Sequence, residues 1–108
     1  MSQQKQAIRE AFRQAVFKRD GHKCRVCHRP QKLDGPLDAH HITDRNLMPN
    51  GGYVKQNGIS LCEKCHRLAE EFHVSSGTQW MENMHPDDLY KLIGSSREAA
   101  MAASQKLS

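Results

Sequence analysis

Two Cys-x-x-Cys knuckles, Cys24-Arg25-Val26-Cys27 and Cys62-Glu63-Lys64-Cys65, constrain this chain more than any other feature. Each spacing lets two thiolates grip one ion, and together the knuckles supply the four sulfurs of a closed tetrahedral zinc site. The fold must therefore bring two distant stretches of chain to one point. The interval between them is longer than in a compact zinc ribbon, so a substantial element is inserted there. A metal tie also suits the composition. The chain has 108 residues, of which 37% are hydrophobic and 6% aromatic, thin material for one core and too little for two. A single domain over residues 1–108 is expected.

Two other uses of such cysteines fit less well. A thioredoxin-like redox pair wants a surrounding βαβ pattern, which is absent. His28 and His66 each follow a knuckle, which matches c-type haem attachment, but that chemistry belongs outside the cytoplasm. Met1 to Glu10 is polar and lacks the apolar stretch of a secretory signal. No apolar run approaches the roughly 18 residues of a membrane span. The expectation is a cytoplasmic protein with no membrane partner and no organic cofactor, in a reducing compartment where paired cysteines bind metal.

Charge is unevenly placed. Residues 1–32 carry nine Lys/Arg against Glu10 and Asp20, whereas the chain as a whole has a net charge of +4, so the remainder is acidic on balance. A basic end suits a polyanion such as DNA through phosphate neutralisation and counterion release, although a solvated helix face has the same composition.

Apolar residues at Ala7/Ile8, Ala11/Phe12 and Ala15/Val16 predict a helix over Ala7 to Phe17, stopped by Asp20-Gly21, with Arg9, Glu10, Arg13 and Gln14 on its other side. Turn chemistry surrounds Pro30 and Asp34-Gly35-Pro36. Leu37 to Ile42 and Ile59 to Leu61 read as short strands, separated by a loop over Asn46 to Gly58, and Glu63 to His73 reads as a helix. Pro86 opens another short helix, and Ser95 with Glu98 predicts a capping box for a final Ala-rich one. Trp80 and Tyr90 read as core or edge packing, and His22, His28 and His85 as surface or capping residues.

Within the insertion stands Asp38-Ala39-His40-His41-Ile42. A regular strand would send adjacent histidines to opposite faces, so an irregular end is expected if both are to address one site. With His66 they form a cluster unlike the four thiolates, since imidazole and oxygen donors suit an open catalytic metal.

The run Phe17-Lys18-Arg19-Asp20-Gly21-x-x-Cys24-x-x-Cys27, then Ala39-His40-His41-Ile42, then Asn57-Gly58-Ile59-Ser60-Leu61-Cys62-x-x-Cys65-His66 resembles the HNH endonucleases, and in particular their small standalone phage-type members. The resemblance covers about residues 17–73. It implies an α+β fold: a small ββα-metal core with a four-cysteine zinc site, an N-terminal helix and C-terminal helices. It also implies a metal-dependent endonuclease that hydrolyses DNA phosphodiester bonds, with nicking as its expected action. In this reading Cys24, Cys27, Cys62 and Cys65 hold structural Zn²⁺. His40 and His66 bind the catalytic ion, Mg²⁺, Mn²⁺ or another divalent cation. His41 is the general base and Asn57 the hydrogen-bonding asparagine, in preference to Asn46 and Asn50. A second metal-binding histidine one turn after His66 is missing, and Glu70 stands there instead. Glu70, His73 or water is left to complete the shell. Lys18, Arg19, Lys23, Arg25 and Arg67 are the expected DNA-phosphate contacts. A homodimer or a phage packaging partner is also consistent with this family. The competing reading is a zinc-knuckle DNA-binding module without catalysis.

Overall fold

In the computed structural model, which describes residues 3–28, 30 and 36–107, helix α1 spans Gln3–Arg19 and so extends beyond the predicted segment at both ends. The turn expected at Asp34-Gly35 and the cations Arg29 and Lys32 lie outside the described residues. The helix stops where predicted. Gly21 takes φ +68°, and the His22 amide donates to the Phe17 carbonyl at 3.0 Å, which closes the last turn. Lys18 and Arg19 sit on that carbonyl end.

Asp20 does more than end the helix. It is buried, accepts the Ser60 amide at 2.9 Å and takes two hydrogen bonds from Arg19 at 2.7 and 2.8 Å, which ties α1 to the second strand.

Strands β1 (Asp38–His41) and β2 (Gly58–Leu61) form an antiparallel hairpin, the first one residue shorter at each end than predicted and the second one residue longer at its start. The register pairs Ala39 with Ser60 and His41 with Gly58, and between them His40 with Ile59. Opposed residues share a face, so the two histidines take opposite faces of a regular strand. All four residues of β2 are buried because both of its faces are covered. Ile59 and Leu61 join Cys24, Cys62, Cys65 and Ala69 in the core, while Ser60 hydrogen-bonds the Val16 carbonyl of α1.

Gly58 is what lets α1 lie so close. A Cβ there would stand 2.5 Å from Val16 Cγ2 and 2.7 Å from Phe12 Cζ. Gly58→Ala should therefore lower stability by about 1–3 kcal/mol, the usual range for overpacking. The check is urea unfolding: the midpoint should fall with an unchanged slope, and an unshifted midpoint would show that α1 yields freely.

The segment after β1 is wound into three 3-10 turns, Arg45–Leu47, Pro49–Gly52 and Lys55–Asn57, where an open loop was expected. Its order comes from partners that local pattern does not reveal. Ser104, far along the chain, is buried; its hydroxyl donates to the Pro49 carbonyl and accepts the Gly52 amide at 3.1 Å, and its own carbonyl accepts from Asn50 at 3.0 Å.

Helix α2 (Glu63–Val74) starts directly from Cys62, which completes the ββα order. Two shorter helices follow, α3 (Pro86–Leu92) and α4 (Arg97–Gln105). The His85 ring accepts the Asp87 amide at 3.1 Å and caps α3, as predicted. The predicted capping box of α4 is corrected by one residue. Ser96 is the cap and accepts the Ala99 amide at 3.1 Å, while the Ser95 hydroxyl donates to the Gln56 carbonyl at 2.9 Å. Trp80 packs at the surface against Phe72 and His85. Among the described residues no helix is long and apolar enough to cross a membrane.

Candidate active site

The two knuckles meet. The sulfurs of Cys24, Cys27, Cys62 and Cys65 all lie within 4.8 Å of one another, and no disulfide joins them. The first knuckle docks through the Arg25 amide, which donates to the Ser60 carbonyl at 2.9 Å. The second straddles the start of α2, with Cys62 as its N-cap and Cys65 in its first turn. Burial opposes ionisation of Cys24, but the amides of Cys27, Cys62 and Val26 outweigh it and bring the thiol down to about 7. Burial and the crowding of the other sulfurs push Cys65 upward. Four sulfurs that cannot all ionise together, held in one cluster, fit a zinc ion that would compensate their charge.

A second cluster forms on the α2 face of the hairpin. Ligand atoms of His40, Glu70 and His73 lie within 4.8 Å of one another. Spacing explains the meeting, since Glu70 and His73 are one turn apart on α2 and β1 runs beneath them. His40 is 2% exposed, and its Nδ1 is buried without a hydrogen-bond partner, although Glu70 Oε1 stands 3.3 Å away. Burial lowers the pKa of His40, with the contact to Glu70 opposing. In return the His40 contact, with His66 and His73 beside it, holds Glu70 down at about 2. An ionised carboxylate and an unpartnered buried imidazole nitrogen fit a divalent cation.

His66 adjoins this cluster, with Nε2 3.4 Å from Glu70 Oε1. Its other nitrogen, Nδ1, faces Asp38 Oδ2 at 3.1 Å, and His73 Nε2 faces the His41 carbonyl at 2.9 Å. Both partners are acceptors, so each ring donates there and leaves its other nitrogen to face an ion, an arrangement common behind metal ligands.

The His41 ring lies on the α1 face, stacked on Phe12 at 4.6 Å and meeting the edge of Tyr53 at 4.9 Å. The irregular strand end expected from sequence is not there. His41 pairs regularly with Gly58, and the two histidines share a cavity of about 370 Å³ because the strand ends at its rim. Burial first, then the neighbouring His40 and Arg45, push the His41 pKa down to about 4, so the ring is neutral at pH 7. Its Nε2 is buried and unpartnered.

Asn57 is fully buried and uses its whole amide. Oδ1 accepts the Thr43 amide at 3.0 Å and the Tyr90 hydroxyl at 2.7 Å, and Nδ2 donates to the carbonyls of Thr43 and Gly52 at 3.1 and 3.3 Å. It thereby fixes the chain two residues beyond His41. Tyr90 reaches this network from α3 and also bonds the Thr43 hydroxyl at 2.7 Å.

The expected DNA contacts divide. Lys18, Lys23 and Arg67 are exposed. Arg19 is engaged with Asp20 and with the carbonyls of Lys55 and Gly58, and Arg25 with Asp20 and the Leu92 carbonyl. The cations that line the cavities at the histidines are instead Arg9, Arg13 and Arg45. Arg9 and Arg13 had a legible signal, one turn apart on the polar face of α1. Arg45, Tyr53 and Asp38 had none beyond nearness to the histidines. His22 and His28 are exposed in left-handed turns, and the His28 amide donates to the Cys24 carbonyl at 2.8 Å, which closes the first knuckle.

Residues 24–72 match the family model described as HNH endonuclease. No curated protein and no solved structure matches the chain.

Proposed function

From the premise that residues 24–72 form a domain of the HNH endonuclease family, a family of phosphodiesterases, we propose that this protein is a metal-dependent DNA endonuclease that nicks one strand at a time. One observation carries the reading most: the unpartnered, buried His40 Nδ1 beside an ionised Glu70, in a cavity that His41 also lines. His40, Glu70 and the other ring nitrogens of His66 and His73 would hold Mg²⁺, Mn²⁺ or a similar ion. When bound, such an ion supplies positive charge to a phosphate and to its leaving oxygen.

The protein's own groups do the rest. His41 is neutral at pH 7 and accepts a proton from the attacking water. With Nε2 buried, Nδ1 is the nitrogen left to take it. Water adds to phosphorus as the P–O3′ bond breaks and the departing O3′ takes a proton from solvent, which leaves a 5′-phosphate and a 3′-hydroxyl. Asp38 orients His66, and Asn57 with Tyr90 holds Thr43, just beyond the end of the strand that carries His41. The four cysteines hold zinc as a structural ion, consistent with a cytoplasmic setting. A second copy, a phage packaging partner or two successive nicks would give a double-strand break.

Supercoiled plasmid incubated with the zinc-loaded protein and Mg²⁺ or Mn²⁺ should relax to open circles bearing 5′-phosphate ends. Plasmid left supercoiled with every divalent ion, despite measurable DNA binding, would instead support the non-catalytic zinc-knuckle module.

A further inference from the structure

A larger cavity, of about 560 Å³, lies beyond the histidines. Among the described residues no Asp or Glu lines it, whereas Lys5, Arg9 and Arg45 do, together with Asn46 and Tyr53. Arg9, Arg45 and Tyr53 also wall the cavity that reaches His41 and His66, and Arg45 walls the one that holds His40, Glu70 and His73. The three cavities therefore share walls in one direction, from the carboxylate-bearing cluster to an end whose only charged walls among the described residues are Lys5, Arg9 and Arg45, set beside the apolar Ile8 and Leu107.

Tyr53 stands at the junction. Its ring edge meets His41, and its hydroxyl accepts from Arg45 at 3.3 Å. Arg9 walls two of the cavities beside the same ring, and the two guanidinium groups, working against burial, lower the tyrosine's pKa. Two forked cations converging on one neutral hydroxyl leave most of their donors for another acceptor. A phosphate matches that fork in both geometry and charge.

We propose that this cavity is a phosphate subsite: the DNA strand being cut passes from the His40, Glu70 and His73 cluster across His41 and Tyr53, and Arg9 and Arg45 hold the phosphate of a flanking nucleotide. The inference rests on the nuclease reading for the identity of its ligand. Arg9 and Arg45 are positioning residues, which set the register of the strand without reading its sequence. The direction of the strand across the site then follows from the chain itself, with α1 alongside the flanking nucleotides.

The test is binding of a fluorescent DNA duplex by zinc-loaded His41→Ala protein without added divalent ion, measured by anisotropy over a series of NaCl concentrations. Each phosphate contact contributes about −0.9 to the slope of log K against log[salt]. Arg9→Gln and Arg45→Gln should each flatten the slope by about 0.9, and the double variant by about 1.8. Lysine at both positions, which keeps the charge, should restore it. Lys91→Gln removes a cation that lines none of these cavities and should leave the slope unchanged. A double variant with the parental slope, or one matched by Lys91→Gln, overturns the subsite. Flattening that appears for single-stranded RNA but not for duplex DNA overturns it also. If the slope flattens as expected while plasmid is never cut, the subsite stands and the nuclease reading falls.

Discussion

Cys62→Ser is expected to yield a chain that no longer unfolds cooperatively, the largest effect of any single substitution here. Cys62 is both a member of the sulfur cluster and the residue from which α2 begins, so its loss removes a metal ligand and loosens the helix that carries Glu70 and His73. Structural zinc contributes about 10–16 kcal/mol in zinc-finger peptides. Whole domains are stable by only about 5–15 kcal/mol, so the metal's share is comparable with the total. Circular dichroism melts and zinc content should fall together. Metal-stripped protein that keeps its sharp transition would refute the structural role.

The second large effect separates the adjacent histidines. His41→Ala should keep the fold, zinc and the added divalent ion, yet lose about 10²–10⁴ in cleavage rate, since only the acceptor of the water's proton is gone. His40→Ala should lose cleavage together with affinity for the added ion, while zinc stays on the four cysteines. The opposed faces of β1 make this separation sharp: His40 looks toward Glu70 and His73, His41 toward Phe12 and Tyr53. Single-turnover cleavage beside titration calorimetry with Mn²⁺ decides it. A His41→Ala protein that cuts normally, or that loses the ion as His40→Ala does, overturns the division of roles.

The ββα order was legible because its signals are local. The knuckles mark both ends of the hairpin, Asp20-Gly21 stops α1, and the spacing of α2 puts Glu70 and His73 on one face. What stayed hidden needs contacts between distant residues. Nothing near Asp20 announces that the Ser60 amide will bond it, and nothing near Tyr90 announces Asn57. The same holds for cations. Composition marked the first third as basic but could not separate Arg19, spent on Asp20 and two carbonyls, from Arg9, which walls the cavities, and it gave no sign of Arg45, which lies beyond that segment. The misplaced capping box has a simpler cause: Ser95 and Ser96 are adjacent, and only the bond from Ser95 to the Gln56 carbonyl decides which of them caps.

The clasp between Ser104 and the turns at Pro49 to Gly52 has a consequence for how the protein breathes. Local openings usually involve contiguous cooperative units, and here the bonds of Ser104 join α4 to a segment remote in sequence. When α4 frays, the roof over Asn57 loses three of its anchors at once, so the fluctuations of the turns from Pro49 to Asn57 are governed by a helix remote from them in sequence.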